Sequence, residues 1–274
     1  MTPIVHQARA SYAFIERNLN LVKRYWGWEL VWMAYTIANS LAVSYIGAGM
    51  EQISGQKVDT HYLILYLVIG TIVWRYLAVI FHAISDMIGW ERWEGTIEYT
   101  LMAPVPRITH LVGQTFFAII YSLIHTAGIL LATAAFFNLD LRNANLVGTL
   151  VLLLAGSLSF IGIGIVAAIL PLLFPERGSQ MTHLILAVLL FVSGVYYPVT
   201  VLPAWLQPVA RISPATYVLG GMRATLLEGA ALSTLWPYIW PLLLMGGIAI
   251  PLGVRAFQVA ERYAKRTGRL KRNG

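Results

Sequence analysis

Six long apolar stretches separated by short polar segments organise the chain. They cover residues 26–49, 62–86, 108–136, 146–173, 182–200 and 234–257. Each comes close to or exceeds the roughly 20 residues that a helix needs to cross a ~30 Å hydrocarbon core. Trp26 and Trp28 open the first stretch, where interfacial tryptophans mark the start of lipid. Ahead of it, Tyr12, Ile15, Leu19 and Val22 recur at helical spacing, while Arg9, Glu16, Arg17, Lys23 and Arg24 fall largely outside that stripe. Residues 8–24 are therefore expected to form an amphipathic helix on the membrane surface, with a solvated helix as the plainer alternative. The polar and aromatic start, MTPIVHQARASYAFIERNLNLVKRYW, does not resemble a cleavable signal, whose apolar region begins sooner.

Two segments depart from this alternation. Residues 201–230 are apolar on average but carry Pro203, Pro208 and Pro214. A proline inside a helix removes a hydrogen bond and clashes with the preceding turn. Two short helices dipping into the outer leaflet are expected here rather than a straight span, with their irregular backbone shielded by protein. The other segment, WERWEGTIEYTLMAPVPR at 90–107, is charged and follows the second span. A helix would put Glu91, Glu94 and Glu98 on one face, where like charges repel by a few tenths of ~1 kcal/mol. A lone helix gains nothing from that arrangement, whereas a basic groove on a partner would use it. A solvated loop helix with incidental acids fits the spacing equally well. Pro104 and Pro106 end the segment, and Arg107 marks re-entry into the membrane.

Composition makes the membrane reading firm. Of the 274 residues, 58% are hydrophobic and 11% charged, against about 25% charged in soluble domains. Six spans with short connections leave little room for a soluble unit, so residues 1–274 read as one domain. The absence of cysteine excludes a disulfide framework and a thiolate metal site. The net charge of +7 does not point to nucleic acid, because its distribution is asymmetric. With the N-terminus inside, fourteen Lys and Arg fall in cytoplasmic segments and four in outer ones; Arg75 lies within a span. The expectation is an all-α polytopic protein of the cell (inner) membrane with six transmembrane helices and both termini cytoplasmic.

Candidate chemistry is sparse. No G-x-x-x-x-G-K-[ST] phosphate loop occurs, so any ATP hydrolysis belongs to another subunit. The pattern from Gly162 through Gly164 to Ala167 mimics a dinucleotide fingerprint but lies inside an apolar span, where a small-residue helix contact is the better reading. Charges within spans are expensive and often functional. Arg75, Glu29 and the i, i+4 pair His82 and Asp86 are such groups, readable as a polar path or as structural pairs. His110, His125 and His183 lack metal-ligand spacing, so no metal site is expected.

The stretch WERWEGTIEYTLMAPVPR resembles the signature after the second span of ABC-2 type transporter permeases, in which Glu-x-x-x-Gly-Thr-x-Glu leads to a proline. The stretch SGVYYPVTVLPAWLQPVARISPATYVLGGMR is similar to that family's region after the fifth span, with a Pro–aromatic element, a Leu-Pro turn, and Pro-x-x-Tyr followed by Met-Arg. Drug and antibiotic exporters resemble the chain most, with lipo-oligosaccharide and polysaccharide exporters as relatives. The resemblance implies a cytoplasmic coupling helix at 90–103 that docks on an ATPase, using Glu91, Arg92, Glu94, Gly95, Thr96 and Glu98. It implies that 201–230 are re-entrant extracellular helices closing an outer gate, and that the N-terminal helix is an interfacial connector. Arg75, Tyr196, Tyr197, Pro198 and Tyr217 become candidate pathway or gate residues; interfacial anchoring is the alternative for the two adjoining tyrosines. It further implies two permeases, expected as a homodimer in lipid, with two ABC ATPase subunits. ATP and Mg would sit on the partner, with no cofactor on this chain. The expected function is export of a drug-like, lipid-like or glycolipid substrate. An ion-coupled transporter or channel, motivated by Arg75, Asp86 and Glu29, is the main alternative, although no inverted repeat accompanies those charges. An intramembrane hydrolase lacks a G-x-S-x-G element.

Overall fold

The structure, a computed structural model, describes residues 3–95, 107–137 and 142–267. Among these residues all regular structure is helical. Helix α1 (Pro3–Arg24) is followed after one residue, Tyr25, by α2 (Trp26–Ser54). Then come α3 (Thr60–Ser85), the short α4 (Met87–Glu94), α5 (Arg107–Phe137), α6 (Leu146–Ala167) and α7 (Ile169–Leu173). Helix α8 (Gly178–Val192) precedes the broken segment, which holds a turn of 3₁₀ helix (Val199–Val201), α9 (Gln207–Ile212) and α10 (Pro214–Leu227). A second 3₁₀ turn (Leu232–Leu235) leads into α11 (Trp236–Arg266).

Five of these stretches are long and apolar enough to cross a membrane: Trp26–Gln52, Thr60–Ser85, Thr109–Phe137, Leu146–Leu173 and Leu232–Arg266. The chain is thus an all-α polytopic membrane protein. Expected boundaries for three of these agree to within two residues, whereas the first and last helices continue beyond the expected ends at 49 and 257. The stretch at 182–200 differs, because helix α8 has 15 residues and ends at Val192. At 1.5 Å per residue it reaches about 22 Å, less than a hydrocarbon core. Ser193 turns its hydroxyl back onto the Leu189 carbonyl, and Gly194 adopts φ +70°, a left-handed conformation that ends the helix. The apolar run continues, but the helix does not.

Burial separates centre from rim. In the apolar windows of α3 and of the α6–α7 stretch, 72% and 67% of residues are buried, against 22% in α2, α5 and α11. Tyr76, Phe81, Leu77 and Ile80 of α3 pack with Leu152 and Phe160 of α6 and with Val218 and Leu219 of α10. Helix α10 is therefore largely enclosed by protein. Pro208 and Pro214 sit in the first turns of α9 and α10, where their missing N–H costs nothing. The expected pair of short helices after the fifth apolar stretch is present in that form. Gly162 meets α11: a Cβ there would lie 2.5 Å from the Ala249 Cβ. It is a helix contact and not a nucleotide site.

Helix α1 begins earlier than expected and is docked on α5 rather than standing alone. The Ser11 hydroxyl donates to the Thr109 carbonyl at 3.1 Å, and the Asn18 amide donates to Gln114 at 2.7 Å.

Candidate functional site

Three polar or aromatic assemblies interrupt the apolar bundle, at the two ends of α3 and near its middle. The first lies where α3 passes into α4. Asp86, between the two helices, accepts from the Thr182 hydroxyl of α8 at 3.1 Å and contacts the His82 ring at 2.8 Å. The rings of His82 and His183 lie 4.6 Å apart. Further along, Glu91 of α4 is only 3% exposed and faces His110 of α5 at 3.6 Å. Phe14 of α1 stacks on His110 with ring centres 4.2 Å apart. Polar contacts thereby tie the α3–α4 junction to α8 and α5, and the ring stack on His110 extends the connection to α1.

These positions sharpen the expectation for residues 90–103. The helix starts at Met87 and ends at Glu94, because Gly95 takes φ +74°. The acidic face counted across 91, 94 and 98 is not a face of one continuous helix, since a left-handed residue intervenes. Glu91 points into the chain, where it anchors α4 to α5. Arg92 and Glu94 lie on the last turn of α4, whereas Thr96 and Glu98 lie outside the described residues, as do the prolines at 104 and 106.

The second assembly lies between α2, α3 and α5. The Tyr121 hydroxyl donates to Glu29 at 2.5 Å, and Nε2 of His125 lies 3.5 Å from the same carboxylate oxygen. Arg75, Thr36, Ser122 and His125 line a small cavity of about 10 Å³ beside this group, near the size of one water. The intramembrane acid and the intramembrane cation thus share one polar cluster. Tyr121 and its link to Glu29 escaped the sequence, because the two residues are 92 positions apart and Tyr121 reads as an ordinary span residue.

The third assembly lies at the Thr60 end of α3. Arg223 of α10 donates from Nη2 to the Gly194 and Val195 carbonyls at 3.1 and 2.8 Å. Its guanidinium carbon lies 3.6 Å from the centre of the Tyr66 ring, a cation–π contact. Gly70 of α3 permits this crossing, since a Cβ there would lie 2.1 Å from the Val195 oxygen. Tyr196, Tyr197 and Pro198 follow directly; Tyr197 donates its hydroxyl to the Phe191 carbonyl. Together with Tyr62 and Tyr66 they line a cavity of about 500 Å³. Tyr217 is placed apart from it, donating to the Arg211 carbonyl at 2.9 Å. Arg75 belongs to the second assembly and not to this one. The candidate gate residues therefore divide among three places. The sequence marked Arg223 as an outer charge and as the end of the Met-Arg element but gave it no partner, and Tyr66 carried no signal of its own.

Among the described residues, no group of three or more His, Asp or Glu is arranged to hold a metal ion. No curated protein matches the chain. The family model for the ABC-2 type transporter matches residues 12–227, which include α4, all three assemblies and α10. With most of its length matched, this chain belongs to the ABC-2 type transporter family, as a membrane-spanning permease component of the kind that normally works with a separate ABC ATPase.

Proposed function

We propose that the chain is the permease of an ATP-driven exporter that moves a drug-like, lipid-like or glycolipid substrate out of the cytoplasm or inner leaflet. Two copies, as a homodimer, associate with two ATPase subunits, which carry ATP and Mg. The protein sits in the cell (inner) membrane with α1, α4 and the C-terminal end of α11 on the cytoplasmic side, in keeping with the Lys and Arg distribution; this requires the short apolar helix α8, extended by the apolar residues that follow it, to make the sixth crossing. The observation that carries the reading is the placement of α4. It continues the most buried helix of the bundle, α3, and is held at its base by the buried Glu91–His110 contact. A push on α4 therefore acts directly on the core. Within the 90–103 coupling segment, docking on the ATPase is assigned to residues 92–98, with Glu94 and Glu98 as the acids it would recognise, and Glu91 serves as the internal anchor.

The second permease copy is supported by the rim. Helices α2, α5 and α11 bury little within one chain, and α2 leaves Trp28, Trp32 and Tyr35 exposed. One copy encloses too little for a large solute, so the path runs between copies. The interrupted segment 193–230 closes it at the face opposite α4, with Tyr196, Tyr197 and Pro198 at the closure.

Reconstitution with the ATPase in proteoliposomes tests this reading. The expected result is ATP-dependent movement of a fluorescent lipid or drug that stops when either subunit is omitted. Movement that persists without the ATPase and follows an ion gradient would overturn it.

A further inference from the structure

We infer that the cavity of about 500 Å³ at the Thr60 end of α3 is a binding site for an amphiphile with an uncharged or anionic head, and that it rejects organic cations. The inference deepens the transport reading, because it assigns a site and a charge class to the substrate.

The cavity is of ligand size, within the ~300–1,000 Å³ typical of small-molecule sites. Its walls suit an apolar body. Val43, Ile46 and Met50 of α2 form one side, and Leu63 and Leu67 of α3 the other. The tyrosines 62, 66, 196 and 197 supply ring faces and hydroxyls, and Asn39 adds an amide at the membrane side of α2. Aromatic side chains of this kind pair an apolar face with a polar handle, which suits a ligand having both characters.

Charge decides the class of ligand. A site of tyrosines alone would attract organic cations through the ring faces. Here one of those faces is already taken, because Arg223 lies over Tyr66 at 3.6 Å. Nη2 of Arg223 is engaged by two neutral carbonyls, not by a carboxylate. Its Nε is buried with no hydrogen-bond partner among the described residues. No Asp or Glu lines the cavity. The positive charge behind Tyr66 is therefore not neutralised locally, and a cationic head entering the pocket meets repulsion without a counter-ion. A neutral head finds hydroxyls and an amide, and an anionic head gains from the guanidinium.

Position gives the site its role. The cavity is half open, bounded by the rim helix α2 on one side and by the 196–198 segment on the other. That segment is held by Arg223 through its Gly194 and Val195 carbonyls. A ligand against Tyr66 and Tyr196 thus meets the ring that carries the cation and the segment whose backbone the cation restrains. The site is the last station before release at the face opposite α4.

The test uses the full-length chain in nanodiscs of zwitterionic lipid and three radiolabelled dodecyl amphiphiles, with maltoside, sulfate and trimethylammonium heads. Saturable binding of the first two is expected to exceed that of the third by roughly tenfold or more. Val43→Trp and Leu63→Trp, which fill the cavity from opposite walls, are expected to abolish the saturable part, whereas Leu184→Trp on the lipid-facing side of α8 leaves it unchanged. Arg223→Gln is expected to raise binding of the trimethylammonium probe towards that of the others. Equal binding of all three heads to the unmodified chain, or binding untouched by both filling variants, would overturn the proposal. Binding is measured without ATP or ATPase. A permease that binds selectively but shows no ATP-dependent transport would sink the exporter reading and leave the pocket standing. ATP-dependent transport without selective binding would do the reverse.

Discussion

The two ends of α3 are built from different chemistry. At the Ser85 end, carboxylates are held by histidines and a hydroxyl: Asp86 by His82 and Thr182, and Glu91 against His110. At the Thr60 end the neighbouring groups are tyrosines and a cation held by backbone carbonyls, beside an open cavity. A buried contact such as that of Glu91 with His110 is costly to break, because it leaves a polar partner without compensation. Such contacts suit a joint that must transmit force without slipping. Backbone carbonyls on a non-helical segment with space beside it suit a part that must yield. On the function proposed above, the same helix would carry a stiff coupling at one end and a deformable closure at the other.

The largest effect is expected at the closure. Arg223→Leu removes two hydrogen bonds from a charged donor and leaves the Gly194 and Val195 carbonyls unpaired. Each such bond contributes about 1.5–3 kcal/mol, so a loss of at least ~3 kcal/mol is expected by thermal unfolding in detergent. Unaltered stability would show that the closure does not depend on this residue. Gly70→Ala comes next, since its Cβ would press on the Val195 oxygen at 2.1 Å. Overpacking of this kind costs about 1–3 kcal/mol, and transport should fall with it. A fully active, equally stable alanine variant would contradict the close crossing of α3 and the 195 segment.

Smaller effects are expected at the joint. Glu91→Gln keeps the shape of the side chain and removes its charge, at a stability cost of about 1 kcal/mol. Its expected signature is kinetic: substrate moved per ATP hydrolysed falls, while the ATPase still associates. An unchanged ratio would separate α4 from the transmission of force. The smallest effect is expected at Gly247 of α11, where an added Cβ meets nothing within 4 Å. Gly247→Ala should be neutral or stabilise by up to ~1 kcal/mol through helix propensity alone. A loss of stability there would reveal a neighbour, such as a second copy, packed on that face.

Much of this frame was legible in the sequence, because lipid imposes length and polarity rules that few soluble folds obey. The apolar runs located five helices, three of them to within two residues at each end, while α2 and α11 run further than the apolar run, to Ser54 and Arg266, and Pro203, Pro208 and Pro214 marked the broken segment. The end of α8 was not legible from hydropathy, since Val195, Tyr196 and Tyr197 keep the run apolar past the point where Gly194 turns the chain. Gly95 posed the same problem, because a glycine within an acidic motif does not declare its φ. Pairings across helices were the least accessible. Glu29 meets Tyr121 and His125, and Arg223 meets Tyr66, only after the bundle has assembled. No local pattern encodes which face of each helix turns inward.

If residues 92–98 couple this permease to an ATPase, as proposed, reversing their acidic charge must break the complex. Charge reversal by Glu94→Lys with Glu98→Lys, followed by co-purification of the ATPase from membranes, tests it most directly. The ATPase is expected to be lost and ATP-dependent transport to collapse while the permease keeps its unfolding temperature. An ATPase that stays bound, with transport at its original rate, would contradict it.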